Sequence, residues 1–259
     1  MKLQIDVHLK YRLDHPTDML MQIEPAAIPG QVVTSAHLGT SDTAHFARVP
    51  GEDAVGERIW IRAEEMFSCM LNTAVEINRT IPDFSGLAAT PCHLLPGDAV
   101  KYLLSSRYCP SDEFQSLVKA EFAGLEGGAL VHAVKDWVRS KITYSPGAST
   151  AQTTALDTFV QRHGVCRDFA HLMVTLTRAA AIPARFVSAF GPGVKPQDFH
   201  AVAEVFLDGA WQLIDATDMT DASSLAVIGV GRDAADVAFL TSFEMIQMVQ
   251  QSVEVQELD

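Results

Sequence analysis

Residues 166–218 read CRDFAHLMVTLTRAAAIPARFVSAFGPGVKPQDFHAVAEVFLDGAWQLIDATD, a helix pattern, a strand pattern and a hairpin pattern in succession. In the first part Phe169, Leu172, Met173, Leu176 and Ala180 recur at helical spacing and form one apolar stripe. Pro183 closes the helix, because it lacks a backbone donor and restricts the residue before it. Gly164 permits a tight turn upstream, so Cys166 falls in the first turn. There, unpaired N–H groups and the helix dipole favour an anion. A free thiol titrates near ~8.5, and a helix start beside a histidine lowers it. On position alone, the thiol reads equally well as a buried structural cysteine.

The second half supplies partners for it. Asp208-Gly209 is a two-residue hairpin signal, since both turn positions need positive φ. With that pair as the loop, Leu207 faces Ala210, Phe206 faces Trp211, Glu204 faces Leu213 and Val202 faces Asp215. Side chains alternate along a strand, so His200 shares a face with Val202 and Asp215. His200 and Asp215 then become diagonal neighbours about 7 Å apart at the backbone. A carboxylate there fixes the histidine tautomer and steadies the imidazolium. A slip of one residue in register would undo the pairing. Glu204 lies on the same face toward the apolar hairpin tip and needs a cation, with Arg178 or Arg185 the candidates.

With these residues in place, GVCRDFAHLMVTLTRAAAIPARFVSAF, FHAVAEVFLDGAWQLIDATD and GRDAADVAFLTSF resemble the bacterial transglutaminase-like superfamily, a group of papain-related cysteine enzymes that includes transglutaminases, peptidases and amidases. The resemblance runs from about Tyr102 to Phe243, and the residues before it look like the β-rich domain found in bacterial members. It places the family's Cys, His and Asp on Cys166, His200 and Asp215. There are two departures from the pattern. Val202 stands where many members carry Trp, which predicts an altered cleft wall, and Asp215-Ala216-Thr217 replaces Asp-Pro-Thr.

Outward from this core, residues 1–12 alternate apolar and polar, as do Leu71, Thr73, Val75 and Ile77, and Arg58 to Arg62. Pro25, Pro29-Gly30, Pro50-Gly51 and Pro82 punctuate them. The pattern predicts an N-terminal antiparallel β-sandwich-like domain over 1–106. From 107 to 259 the expectation is an α+β papain-like transglutaminase core, with the Cys-bearing helix packed on an antiparallel sheet. Thr154 and Asp157 predict a capped short helix, and Val253, Val255 and Glu257 allow a final strand.

The net charge of −13 without a basic cluster argues against nucleic acid as a partner. No apolar run reaches the ~20 residues of a membrane span, and the N-terminus lacks the apolar core of a secretory signal. The chain reads as a soluble cytoplasmic protein without a membrane partner. Four cysteines form no Cys-x-x-Cys pair, and His171 lies about 140° around the helix from Cys166. Neither a metal nor a cofactor is expected.

The chemistry that follows is attack of the Cys166 thiolate on a peptide or protein amide, with His200 moving the proton and Asp215 orienting it. The Cys166 N–H supplies one oxyanion donor, and Tyr144 and Gln161 are open candidates for a second. Water as acceptor makes a peptidase or amidase, and an amine makes a transglutaminase. A non-catalytic peptide-binding module on the same fold is the contrasting class.

Overall fold

The computed structural model describes residues 1–258. Strict alternation makes the first strands. β1 (Lys2–Leu13) buries Leu3, Ile5, Val7, Leu9, Tyr11 and Leu13 on one face. β2 (Thr17–Met21), β3 (Gln31–Thr40), β4 (His45–Pro50), β5 (Glu57–Ala63) and β6 (Met66–Ile77) follow. The inward faces of β1, β2, β5 and β6 meet in one core, where Met19, Ile59, Ile61, Phe67 and Leu71 are nearly inaccessible. This is the sandwich expected from the sequence.

The middle of the chain is helical. It holds α1 (Gly97–Val100), α2 (Gln115–Glu121), α3 (Gly127–Lys141), α4 (Ala155–Gln161) and α5 (Cys166–Ala179). Thr154 and Asp157 cap α4 reciprocally, as their spacing predicts. Two short strands, β7 (Thr143–Tyr144) and β8 (His163–Gly164), pair in parallel and hold Tyr144 next to the turn into α5.

A third sheet contains β9 (Ala184–Phe190), β10 (His200–Leu207), β11 (Ala210–Ile214) and β12 (Ala226–Gly231), in the order β11-β10-β9-β12. α5 is buried from Asp168 to Arg178 between this sheet and α3. Leu172, Met173 and Leu176 meet Val131, Val134 and Val138 on one side and Ala203, Val205 and Leu207 on the other. Each such side chain contributes roughly 1.5–3 kcal/mol on burial. The α+β class therefore holds, with the Cys-bearing helix laid on an antiparallel sheet.

The last two strands return to the sandwich. β13 (Leu240–Ser242) pairs with β2, and β14 (Ile246–Leu258) pairs with β1 along its length, from Lys2↔Leu258 to Leu13↔Ile246. The sandwich sheets thus run β14-β1-β6-β3 and β13-β2-β5-β4. Residues 240–258 complete the N-terminal layers, although they lie within the 107–259 segment. Alternation marks them as strands but carries no record of which sheet they join. The two layers also share core, since Phe190, Ala226 and Ile228 of the third sheet pack among the sandwich residues.

Candidate active site

Cys166 is the first residue of α5 and is partly exposed, while the next turn of the helix is buried. The turn that presents it is held from beneath by Asp168. This carboxylate accepts the Val165 N–H at 2.8 Å and the Ser149 hydroxyl at 2.9 Å, and it is fully buried. Burial pushes its carboxyl up from the ordinary carboxylate range, against those hydrogen bonds. Gly164 is required beside it, because a Cβ there would stand 2.7 Å from the Asp168 Cβ. The sequence reading passed over Asp168, although an acidic residue in a helix's first turn is a capping signal.

His200 opens β10 and lies 2.9 Å from Asp215 through Nε2 and Oδ2. The two residues are 1% and 3% exposed, which removes the competition of water for this bond. The hairpin register is the expected one, with Leu207↔Ala210, Phe206↔Trp211 and Glu204↔Leu213. Asp208 and Gly209 form its turn with φ of 49° and 76°. Asp215 sits just past the end of β11. Its Oδ1 accepts the Thr217 N–H at 2.8 Å and the Thr217 hydroxyl at 2.7 Å. Thr217 therefore fixes the Asp215 carboxylate, and Ala216 in place of Pro leaves those bonds intact. An Asp two residues before a Thr is a recognisable turn signal.

Burial alone would depress the His200 imidazolium. The hydrogen bonds and charges of Asp215 and Cys166 outweigh it and raise His200 from 6.5 to about 10. Asp215 is held below the ordinary carboxylate range, because His200 and Thr217 outweigh its burial. The Nδ1 atom of His200 is buried with no hydrogen-bond partner, and the nearby Cys166 thiol is one of the groups that raise the imidazole's pKa. Cys166, His200 and Asp215 thus come together from three elements, with a hydrogen bond between His200 and Asp215.

The remaining expectations resolve residue by residue. Tyr144 stands beside Cys166: burial pushes its hydroxyl up to about 12, the thiol adds to this, and the Cys166 backbone N–H opposes it. Gln161 is exposed at the end of α4. Glu204 pairs with Arg185 at 2.6 Å, and the guanidinium also lies 4.2 Å over the Trp211 ring. Arg178 instead donates to the carbonyls of Leu104, Ala184 and Arg232. Val202 requires a correction. It is 1% exposed and packs with Val187, Leu213 and Val227, so it does not shape the wall of the thiol's cleft. His200 is the first residue of β10 and lines the cavity, whereas Val202, two residues into the strand, does not.

His171 is fully buried and kept neutral chiefly by burial, and its Nε2 accepts the Ala234 N–H at 3.1 Å. Among the described residues no group of three His, Cys, Asp or Glu side chains is arranged to hold a metal. Nor, among them, is any helix long and apolar enough to cross a membrane.

Cys166 and His200 open onto a cavity of about 470 Å³, whose walls include Phe186, Phe199, Ala201, Val237 and Phe239. Such a volume suits a small ligand or a few residues of peptide. A second cavity, of about 570 Å³, lies behind Asp215 and is lined by Arg79, Lys135, Asp218 and Asp221.

Comparison with known proteins places this geometry in context. The pattern of the transglutaminase-like superfamily matches residues 122–216. A solved structure from Cytophaga hutchinsonii, described as "a Putative Cysteine Protease", superimposes with a TM-score of 0.94 at 32% identity, covering 100% of this chain and 91% of that one. An uncharacterized protein of Mycobacterium leprae is 35% identical over 117 residues, 42% of each chain. One from Mycobacterium tuberculosis is 31% identical over 126 residues, covering 42% of this chain and 40% of its own length. The chain thus spans less than half the length of these mycobacterial relatives.

Proposed function

The chain belongs to the transglutaminase-like superfamily, and on that footing we propose that it is a thiol-dependent acyl-transfer enzyme that hydrolyses an amide or peptide bond. The observation that carries this reading is the buried His200–Asp215 pair at 2.9 Å, whose second ring nitrogen has no hydrogen-bond partner and which lines the same cavity as a thiol at a helix N-terminus. The thiolate is the form that attacks carbonyl carbon.

In the first half-reaction the Cys166 sulfur bonds to the carbonyl carbon, and the oxyanion is received by the Cys166 N–H and the Tyr144 hydroxyl. His200 delivers its proton to the leaving nitrogen as the C–N bond breaks, and a thioester remains. In the second half-reaction His200 takes a proton from water as the water oxygen adds to the thioester. The C–S bond then breaks and the acid departs, restoring thiolate and imidazolium. Asp215 keeps the Nε2 proton in place throughout. Partial exposure of Cys166 gives water a route to the thioester, which favours hydrolysis over transfer to an amine.

The test is mass spectrometry of the protein mixed with a peptide library, with and without added amines. The expected result is an acyl adduct on Cys166 that decays to free acid. Turnover of an identified amide substrate that is unchanged in Cys166→Ala would refute the nucleophile assignment. Adducts that decay mainly to amine conjugates would make the protein a transglutaminase.

A further inference from the structure

The cavity in front of Cys166 has a chemical bias of its own. Phe186, Ala201 and Val237 form one apolar cluster with Ala170, and Cys166 packs against it. The opposite wall is a fixed aromatic stack: the rings of Phe199 and Phe239 lie 4.5 Å apart and nearly parallel, with Phe190 5.5 Å behind Phe199. Phe199 immediately precedes His200, and its carbonyl lies 4.0 Å from the Cys166 sulfur. The aromatic wall therefore begins at the reacting atoms.

The polar side chains around the same space are already committed. Tyr108 donates to the Ala151 carbonyl at 2.7 Å. Ser149 donates to Asp168, and Thr150 shares its hydroxyl with Thr153. Arg167, the one cationic side chain in the lining apart from His200, is occupied by the carbonyls of Thr150 and Thr153. Among the lining hydroxyls, that of Ser188, 6% exposed, is the one with no hydrogen bond of its own. A carboxamide or ammonium entering here would give up several bonds to water and find few uncommitted partners in return. An apolar group loses nothing and gains contact on both walls.

We propose that the acyl donor carries a large apolar side chain, aromatic or long aliphatic, on the residue whose carbonyl Cys166 attacks. Because the apolar cluster touches Cys166 itself, the side chain that reaches it belongs to that residue. The proposal rests on the thioester reading above and adds a preference against glutamine, glutamate and lysine at the same position.

The experiment has two arms, so that the proposal and the reading beneath it fail separately. In the first, Cys166→Ala protein is titrated by calorimetry with capped tetrapeptide amides that differ at one residue: Phe, Leu, Gln or Lys. The expected result is binding of the Phe and Leu peptides roughly tenfold or more tighter than the Gln and Lys peptides. Introducing Ala201→Leu, which fills the pocket, should erase that preference. So should Phe239→Ala, at a half-buried position that keeps the test available if the core variant does not fold. Equal binding, tighter binding of the Gln peptide, or no measurable binding by any peptide overturns the proposal. In the second arm, wild-type protein is examined for the acyl adduct with the same peptides. An adduct that favours Gln overturns the proposal while sparing the thioester. An apolar binding preference with no adduct from any peptide sinks the thioester and turns the pocket into a peptide-binding site.

Discussion

Replacing Asp215 by Asn tests the site at its most constrained point. The carboxylate receives His200 Nε2 on Oδ2 and two Thr217 donors on Oδ1, all within 2.9 Å. A carboxamide has one oxygen. Turned toward His200 it would set its NH2 against both Thr217 donors, so the oxygen stays with Thr217 and the NH2 faces the imidazole. Nε2 must then accept, and the ring proton moves to Nδ1, the atom that serves the sulfur. One charge-assisted bond is lost, about 1.5–3 kcal/mol of stability. The chemical loss is larger, because a histidine in the wrong tautomer cannot accept the thiol's proton. In a serine hydrolase the equivalent change costs about 10⁴ in rate. No substrate is needed to see it. Alkylation of Cys166 by iodoacetamide, followed by mass spectrometry near pH 6, should slow roughly tenfold or more in Asp215→Asn. An alkylation profile across pH that coincides with the wild type would refute the tautomer argument and the pairing of thiol with imidazole.

Other perturbations have defined outcomes. His200 is raised to about 10 from an ordinary 6.5, so its contribution to stability is complete below pH 6.5 and is lost as pH rises through 10. Urea midpoints should therefore fall between about pH 7 and 10, less steeply in Cys166→Ala; a midpoint that rises over this window contradicts the assignment. Gly164→Ala drives a Cβ against Asp168 and should cost about 1–3 kcal/mol in chemical denaturation while slowing Cys166 alkylation; a neutral substitution would show that the turn yields freely. Arg185→Ala strands Glu204, whose side chain is 14% exposed, and should destabilise by roughly 3 kcal/mol. Adding Glu204→Leu should recover most of that loss, and a double variant no better than the single would rule out a stranded charge. Tyr144→Phe should lower acylation by roughly 10- to 100-fold if its hydroxyl receives the oxyanion, with binding unchanged.

The parts of the fold governed by local rules were readable in the sequence. The apolar stripe of α5 announced itself by period, and Asp208-Gly209 set a register that brought His200 and Asp215 within hydrogen-bond reach. Thr154 and Asp157 capped α4 as their spacing required. What escaped reading depends on distant packing. Nothing in Ile246 to Leu258 says that the strand lies beside β1 rather than beside β12. Val202 escapes reading for a related reason: alternation puts it on the face of His200, but only its packing against Val187, Leu213 and Val227 takes it out of the cleft wall. Glu204 chose Arg185 because the two stand opposite each other on β10 and β9, a cross-strand pairing that hairpin register alone does not reveal. Asp168 and Thr217 are legible in principle, the first as an acidic residue in a helix's first turn and the second as the partner of an Asp two residues before it, yet they matter here for what they hold in place.

The pairing of β14 with β1 has a consequence for how the chain is made. On a ribosome β1 emerges long before β14, so one side of β1 stays unsatisfied while every residue between them is synthesised. That open strand is a template for misassociation until β14 arrives. Contacts of such long sequence separation also place the molecule among slow-folding topologies. The helical layer and the sheet bearing His200 are in effect an insertion between strands of the sandwich. Because Phe190, Ala226 and Ile228 share core with the sandwich, loosening the seam between β1 and β14 should reach the cleft through that packing.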